Sequence, residues 1–288
     1  NVSVVASGLI DARGWNPGPS FPNHYINYSG SNRLTLRAGT SITLGGADAQ
    51  FNLPNGTLEL LAGTQITQDG TGINGAIYAN TLILGSSNGG TNKPAVNLTT
   101  ASNLINNLQA SNVSTLSLSN AQNFGINAAG VSTTGNVTIT TTGLTGSGGI
   151  SLANNSSLSI TQSGNSTYGG VISGTGGVTL RVASGGVTGS SNIALTGGGA
   201  LAFDVGGSGS YSGDISGTGS LVKRGAGEQI LYGRGDMTGG TTVQAGTLRL
   251  VPGSAEGTNR FRWANGEQTI TVNSGAVLVL DASAGNGS

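Results

Sequence analysis

Cysteine is absent from the 288 residues, and the chain holds one histidine, one methionine and two tryptophans. Without cysteine there are no disulfides, no thiol nucleophile and no thiolate metal site. Charged residues make up only 8%, with eleven basic and eleven acidic side chains cancelling to zero. That balance gives no field to draw in nucleic acid or an anionic membrane, so neither is expected as a partner. No apolar run is long enough to cross a membrane as a helix, and none has the form of a leader peptide. Membrane insertion by this segment is therefore not expected, and an exported protein of this sequence is expected to be a processed or excised portion. Helical periodicity is missing as well.

What is abundant is glycine, at 53 residues, together with Ser, Thr and Asn. The uncharged polar side chains hydrate a surface without charge, and an apolar share of 35% suits a thin core rather than a thick one. A Gly/Ser/Asn-rich chain invites a reading as disorder, but Val, Ile and Leu recur at every second residue along most of the length. Residues 34–43, LTLRAGTSIT, align with residues 58–67, LELLAGTQIT, at a shift of 24, and Leu82-Ile83-Leu84 continues the spacing. Leu34/Leu58, Leu36/Leu60, Ala38/Ala62 and Ile42/Ile66 are identical, whereas Thr35/Glu59, Arg37/Leu61 and Ser41/Gln65 vary. Strand side chains alternate faces, so the invariant parity is predicted to point inward and the variable parity outward. A second repeat pairs Tyr168-Gly169-Gly170-Val171-Ile172 with Tyr211-Ser212-Gly213-Asp214-Ile215 at a shift of 43, close to two turns. Such recurrence predicts a coil in which each strand rests on the one a turn earlier.

Tyr211–Leu250 is the most informative stretch. Its apolar runs, Leu221-Val222, Gln229-Ile230-Leu231-Tyr232 and Thr247-Leu248-Arg249-Leu250, are separated by glycine corners at 216–219, 225–227 and 238–241. The segment resembles the passenger-associated repeat of bacterial autotransporters, in which Leu-x-Lys-x-Gly-x-Gly leads to T-G-G-T-T-V-x-x-G-T-L. It departs at residues 233–237, where the family has a turn containing Asn or Tyr. Residues 31–90 resemble, less specifically, the L-x-L-x-A-G units of filamentous-haemagglutinin-type exoproteins. The resemblance implies a right-handed parallel β-helix, an all-β solenoid, on the outside of a Gram-negative cell. About a dozen rungs at about 4.8 Å each would make a rod of roughly 55–60 Å, with two protruding loops. Residues 1–30 are expected to form an N-terminal strand and a Pro/aromatic-rich loop, and 31–288 the helix, with the repeat at 211–250.

The loops supply candidate contact residues. Residues 11–30 carry Pro17, Pro19 and Pro22, which deny ladder donors and so predict a loop rather than a rung. Trp15, Tyr25 and Tyr28 in it, and Arg260, Phe261, Arg262 and Trp263 in the loop over 253–267, are the side-chain types that anchor partners or stack on sugars. The same loops would serve equally by folding down over an open side of the coil. Leu104–Leu108 fits either a strand or a protruding helical turn. Arg234-Gly235-Asp236 matches the integrin-recognition tripeptide, a match that a long Gly-rich chain also produces by accident.

A parallel β-helix can also be a polysaccharide lyase, which needs carboxylates gathered on one face. Here the acidic residues are scattered, with Asp48 and Asp69 the one pair in matching phase, and His24 sits in the proline-rich loop without a catalytic setting. No phosphate loop and no calcium-binding nonapeptide is present. The expectation is therefore no enzyme, no cofactor and no metal. A structural or adhesive segment is expected instead, with a host or bacterial surface, a glycan or its own copies as partner. The rivals are a subunit of an extracellular filament or homopolymer grown by end-to-end stacking and, more distantly, a lyase.

Overall fold

The structure, a computed structural model, describes residues 2–6, 10–12, 25–27, 30–45, 50–69, 75–153, 156–164, 167–174, 176–182, 186–190, 192–251 and 269–281, as backbone only before residue 30 and over 180–182. Every regular element among them is a β-strand, and the named strand pairings are parallel. The fold is a parallel β-solenoid. Contacts gather the chain into two compact units, Asn1–Thr141 and Thr142–Ser288.

In Asn1–Thr141 the 24-residue repeat becomes stacked columns. Leu34, Leu58, Leu82 and Leu108 are successive register partners, and so are Leu36, Leu60, Leu84 and Ala110. All eight are buried, whereas Arg37 on the opposite parity is exposed. The invariant parity therefore points inward, as the 24-residue repeat predicts. A second face stacks Ile42, Ile66, Val96, Leu116 and Val137. A third stacks Leu53, Ala79 and Ile105. Each turn inserts only a few side chains, so stability accumulates through nearest-neighbour stacking rather than in one thick core.

The structure decides between the two readings of Leu104–Leu108 and corrects the reading of residues 11–30. Leu104–Leu108 lies inside the strand Ala95–Val113, not in a helical turn. Ile105 and Leu108 are both buried because the chain bends between them, at Asn106 and Asn107, and passes from one face to the next. The loop over 11–30 is not wholly a loop: Ile10–Ala12 pairs with the strand Ser41–Leu44, and Tyr25–Asn27 pairs with Gln50–Ala62. The prolines at 17, 19 and 22 lie between these two strands and outside the described residues.

In Thr142–Ser288 successive partners from Leu158 to Thr241 are 20–23 residues apart, against 24–26 from Leu34 to Leu108. One face stacks Leu158, Val178, Leu201, Leu221, Thr241 and Ile270. Another stacks Ile150, Ile172, Ile193, Ile215 and Gly235. Tyr168 and Tyr211 are both bridged to Gly189, so their 43-residue spacing spans two turns, as the sequence repeat implies. Tyr211 meets Phe203 edge-on, with ring centroids 5.6 Å apart. Burial raises the Tyr168 phenol well above its usual range, helped by the neighbouring Tyr211.

The shorter turns need corners without side chains. A Cβ on Gly219 would lie 1.9 Å from the Gly199 carbonyl oxygen, and one on Gly239 would lie 2.6 Å from that of Gly219. Glycine stacked on glycine is what lets backbone meet backbone there.

Candidate contact surfaces

The three apolar runs of Tyr211–Leu250 form the strands Ser220–Arg224, Glu228–Leu231 and Thr247–Leu250. Alternation along the first places Leu221 and Lys223 inward, and Lys223 is fully buried. Its ammonium has three donors and meets three carbonyls: Arg224 at 2.5 Å, Gly225 at 2.9 Å and, one turn on, Ala245 at 3.2 Å. Burial lowers its pKa to about 8, and Asp204 nearby opposes the shift. With every donor used, Lys223 holds a corner together and offers nothing to a ligand. Gln229 does comparable work on another face, where its amide exchanges hydrogen bonds with both backbone groups of Val187. In the first unit Gln68, Asn103 and Asn120 line an inner corner, and Asn103 alone bonds Gln68, Ile77, Leu98 and Ser119. These buried polar groups are structural.

Outside, hydroxyls and amides form rows across turns. Thr67 donates to Thr43 at 3.4 Å, Gln122 to Asn106 at 2.7 Å and Asn106 to Asn80 at 3.4 Å. Between Lys93 and Arg181 the sequence contains no charged residue and no histidine. The ionisable side chains elsewhere are mostly paired. Arg33 meets Glu59 at 3.1 Å, and Arg249 meets Glu228 at 2.8 Å and Asp281 at 3.1 Å. Among the described residues no three His, Cys, Asp or Glu side chains are placed to hold a metal ion.

The integrin-type tripeptide occupies a strand and the corner before it. Gly235 begins the strand Gly235–Met237 and is buried in the isoleucine column, while Arg234 and Asp236 flank it on the outward parity. Asp214, one turn earlier, binds Arg234 twice: one carboxylate oxygen accepts its backbone N–H at 2.9 Å, and the other lies 3.4 Å from Nε. The same device joins the previous turn, where the Asn192 side chain accepts the N–H of Asp214. Just before the corner glycine, Tyr232 is 43% exposed. Tyr232 is an exposed aromatic that sequence reasoning left inside an apolar run. The signal was its parity, since Gln229 and Leu231 point inward.

Of the other candidate contact residues, Tyr25 lies in a described strand as backbone only. Trp15, Tyr28, Arg260, Phe261, Arg262 and Trp263 lie outside the described residues, as does Asp48 of the carboxylate pair, while Asp69 is exposed. The structure thus brings together one set of outward candidates, around Tyr232–Asp236.

Residues 221–250 match the family model described as passenger-associated-transport-repeat. No curated protein and no solved structure matches the chain.

Proposed function

For a chain that carries a passenger-associated transport repeat within a parallel β-solenoid, consistent with an autotransporter passenger β-helix, we propose an adhesive or structural role outside a Gram-negative cell. The observation that carries this reading is the repeat itself, at 221–250, in which the buried side chains of Lys223 and Gln229 are engaged by backbone groups. What remains for a partner is the outer surface of hydroxyls, amides and a few charges. On this reading the chain is not an enzyme, and its work is to present that surface to other cells, to matrix, to glycans or to its own copies. The test is display of the chain on a non-adherent Gram-negative host. A gain in adherence or cell–cell aggregation over an undisplayed control supports the role. Cleavage of acidic glycans by purified protein, with no gain in adherence, would replace it with the lyase reading.

A second reading is the filament subunit, for which the last described turn would be the stacking surface. Ile270, Val272 and Leu280 stand in register with buried Thr241, Val243 and Leu250, yet are 36%, 43% and 66% exposed. Among the described residues no strand covers these inward side chains, so another turn of parallel strands, from the same polypeptide or from a second copy, would stack there. Electron micrographs of purified protein separate the readings: fibres that lengthen with concentration support a filament, and single particles support the adhesive segment.

A further inference from the structure

We propose that the corner Tyr232–Asp236 is a contact site for a neutral sugar. The proposal rests on the adhesive reading and assigns it a place and a ligand class.

The corner stands apart by what its polar groups leave unused. Among the described charged side chains of residues 142–281, Asp204, Asp214, Lys223, Arg224, Glu228, Arg234, Arg249 and Asp281 all have a partner. Asp236 has none among the described residues, and neither has the Tyr232 hydroxyl. Tyr168 and Tyr211, in contrast, are buried. One exposed ring and one unengaged carboxylate therefore sit four residues apart, with Arg234 between them. The path from Tyr232 to Arg234 is drawn tight by Gly233, where a Cβ would lie 2.0 Å from the Gly213 carbonyl oxygen.

Arg234 is held in advance. Both Asp214 oxygens engage it, through its N–H and Nε, and its side chain remains 64% exposed. Its η nitrogens point no hydrogen bond at any described group, so they are donors already placed for a ligand. Asp236 supplies the complement, two oxygens that accept from a pair of vicinal hydroxyls. The face of Tyr232 supplies the apolar platform for the C–H side of a sugar ring. Donor, acceptor and ring are the three kinds of contact a hexose needs.

Charge selects the class. Asp214, Arg234 and Asp236 together carry a net charge of about −1 at neutral pH, so a uronic or sialic carboxylate would meet two like charges for one opposite. Geometry disfavours the integrin reading of the same residues. Gly235 is packed inward and Arg234 is tied back to Asp214, so the tripeptide does not stand out on a freely extending turn.

The test uses the full 288-residue chain on an immobilised panel of glucose-, galactose- and mannose-terminated oligosaccharides, with uronic-acid counterparts and an integrin-coated surface alongside. The expected result is binding to a neutral member. Tyr232→Ala and Asp236→Asn should weaken it about tenfold, the loss of one good contact, while Thr138→Ala leaves it unchanged. All variants should keep the wild-type circular dichroism and melting temperature. Neutral binding undiminished by both changes, preference for the uronic members, no binding on the panel, or integrin binding lost in Arg234→Ala would each overturn the assignment. Displayed on cells, the same variants separate the two levels. Adherence equal to wild type in both would remove the site and keep the adhesive role, whereas a wild-type chain that confers no adherence would remove the role itself.

Discussion

Lys223 and Ala245 lie in successive turns, and the ammonium of the first donates to the carbonyl of the second at 3.2 Å. Two further bonds, to Arg224 and Gly225, fix the ammonium over its own corner. The pin thus closes one turn and docks the next. Lys223→Met keeps the apolar stem but leaves three carbonyls without that donor. A loss of about 2–4 kcal/mol is expected, since unsatisfied buried groups cost about 1–3 kcal/mol each, offset in part by removal of a buried charge. Denaturant unfolding of the two proteins checks it, and an unchanged midpoint would mean that the pin does not bear on stability.

The same group sets a pH dependence. Its folded pKa is about 8, lowered by burial, against about 10.4 in an unfolded chain. Between those values the unfolded chain holds a proton that the folded chain has released, so stability rises with pH across that window and is level below about 7. Tyr168 acts oppositely. Its raised pKa keeps it protonated when folded, so its contribution falls once pH passes about 10, where the unfolded phenol ionises. The denaturation midpoint should therefore be higher at about pH 9.5 than at about pH 7, and Lys223→Met should abolish the difference. A variant that retains the full rise would assign it to another group.

Inward and outward parity can be separated at adjacent residues. Leu60 is fully buried, and Leu60→Asp should cost several kcal/mol by placing a carboxylate without a partner in the column. Glu59 points outward, though it is not idle: it accepts from Arg33 at 3.1 Å and from Thr35 at 2.7 Å. Glu59→Gln should cost less than about 1 kcal/mol, the scale of a surface pair. Thermal melts that shift equally would undo the parity assignment.

Glycine corners offer a further contrast. Gly219→Ala sets a methyl 1.9 Å from the Gly199 carbonyl oxygen and should break the stacking locally, at a cost above about 3 kcal/mol. Gly198 has φ +76° with open space around its Cβ position, so Gly198→Ala meets only backbone strain, about 1–2 kcal/mol. Urea unfolding of both variants should rank them in that order.

Much of this architecture is legible in the residues. Leu34, Leu58 and Leu82 announce their column by identity at a constant shift, and the two tyrosines at 168 and 211 mark two turns because Gly189 takes the place between them. Leu104–Leu108 misleads because a strand that bends through two outward asparagines puts Ile105 and Leu108 three apart, the spacing of a helix. Lys223 is hidden by its chemistry: its parity says inward, but a lysine is read as surface unless its three carbonyl acceptors are known. The corner at Tyr232–Asp236 could be listed from the sequence only as a tripeptide. That Gly235 enters the core, Asp214 holds Arg234 and Asp236 stands unpartnered depends on the turn before it, 20 residues away.

That the exterior binds through hydrogen bonds and ring contacts rather than through ionic attraction is tested most directly by the salt dependence of adherence. Cells displaying the chain should adhere in about 0.5 M NaCl within about twofold of their level in 0.05 M, because screening weakens ionic contacts and leaves hydroxyl, amide and ring contacts in place. Loss of adherence by about tenfold or more over that range would contradict the account and point to a charged partner.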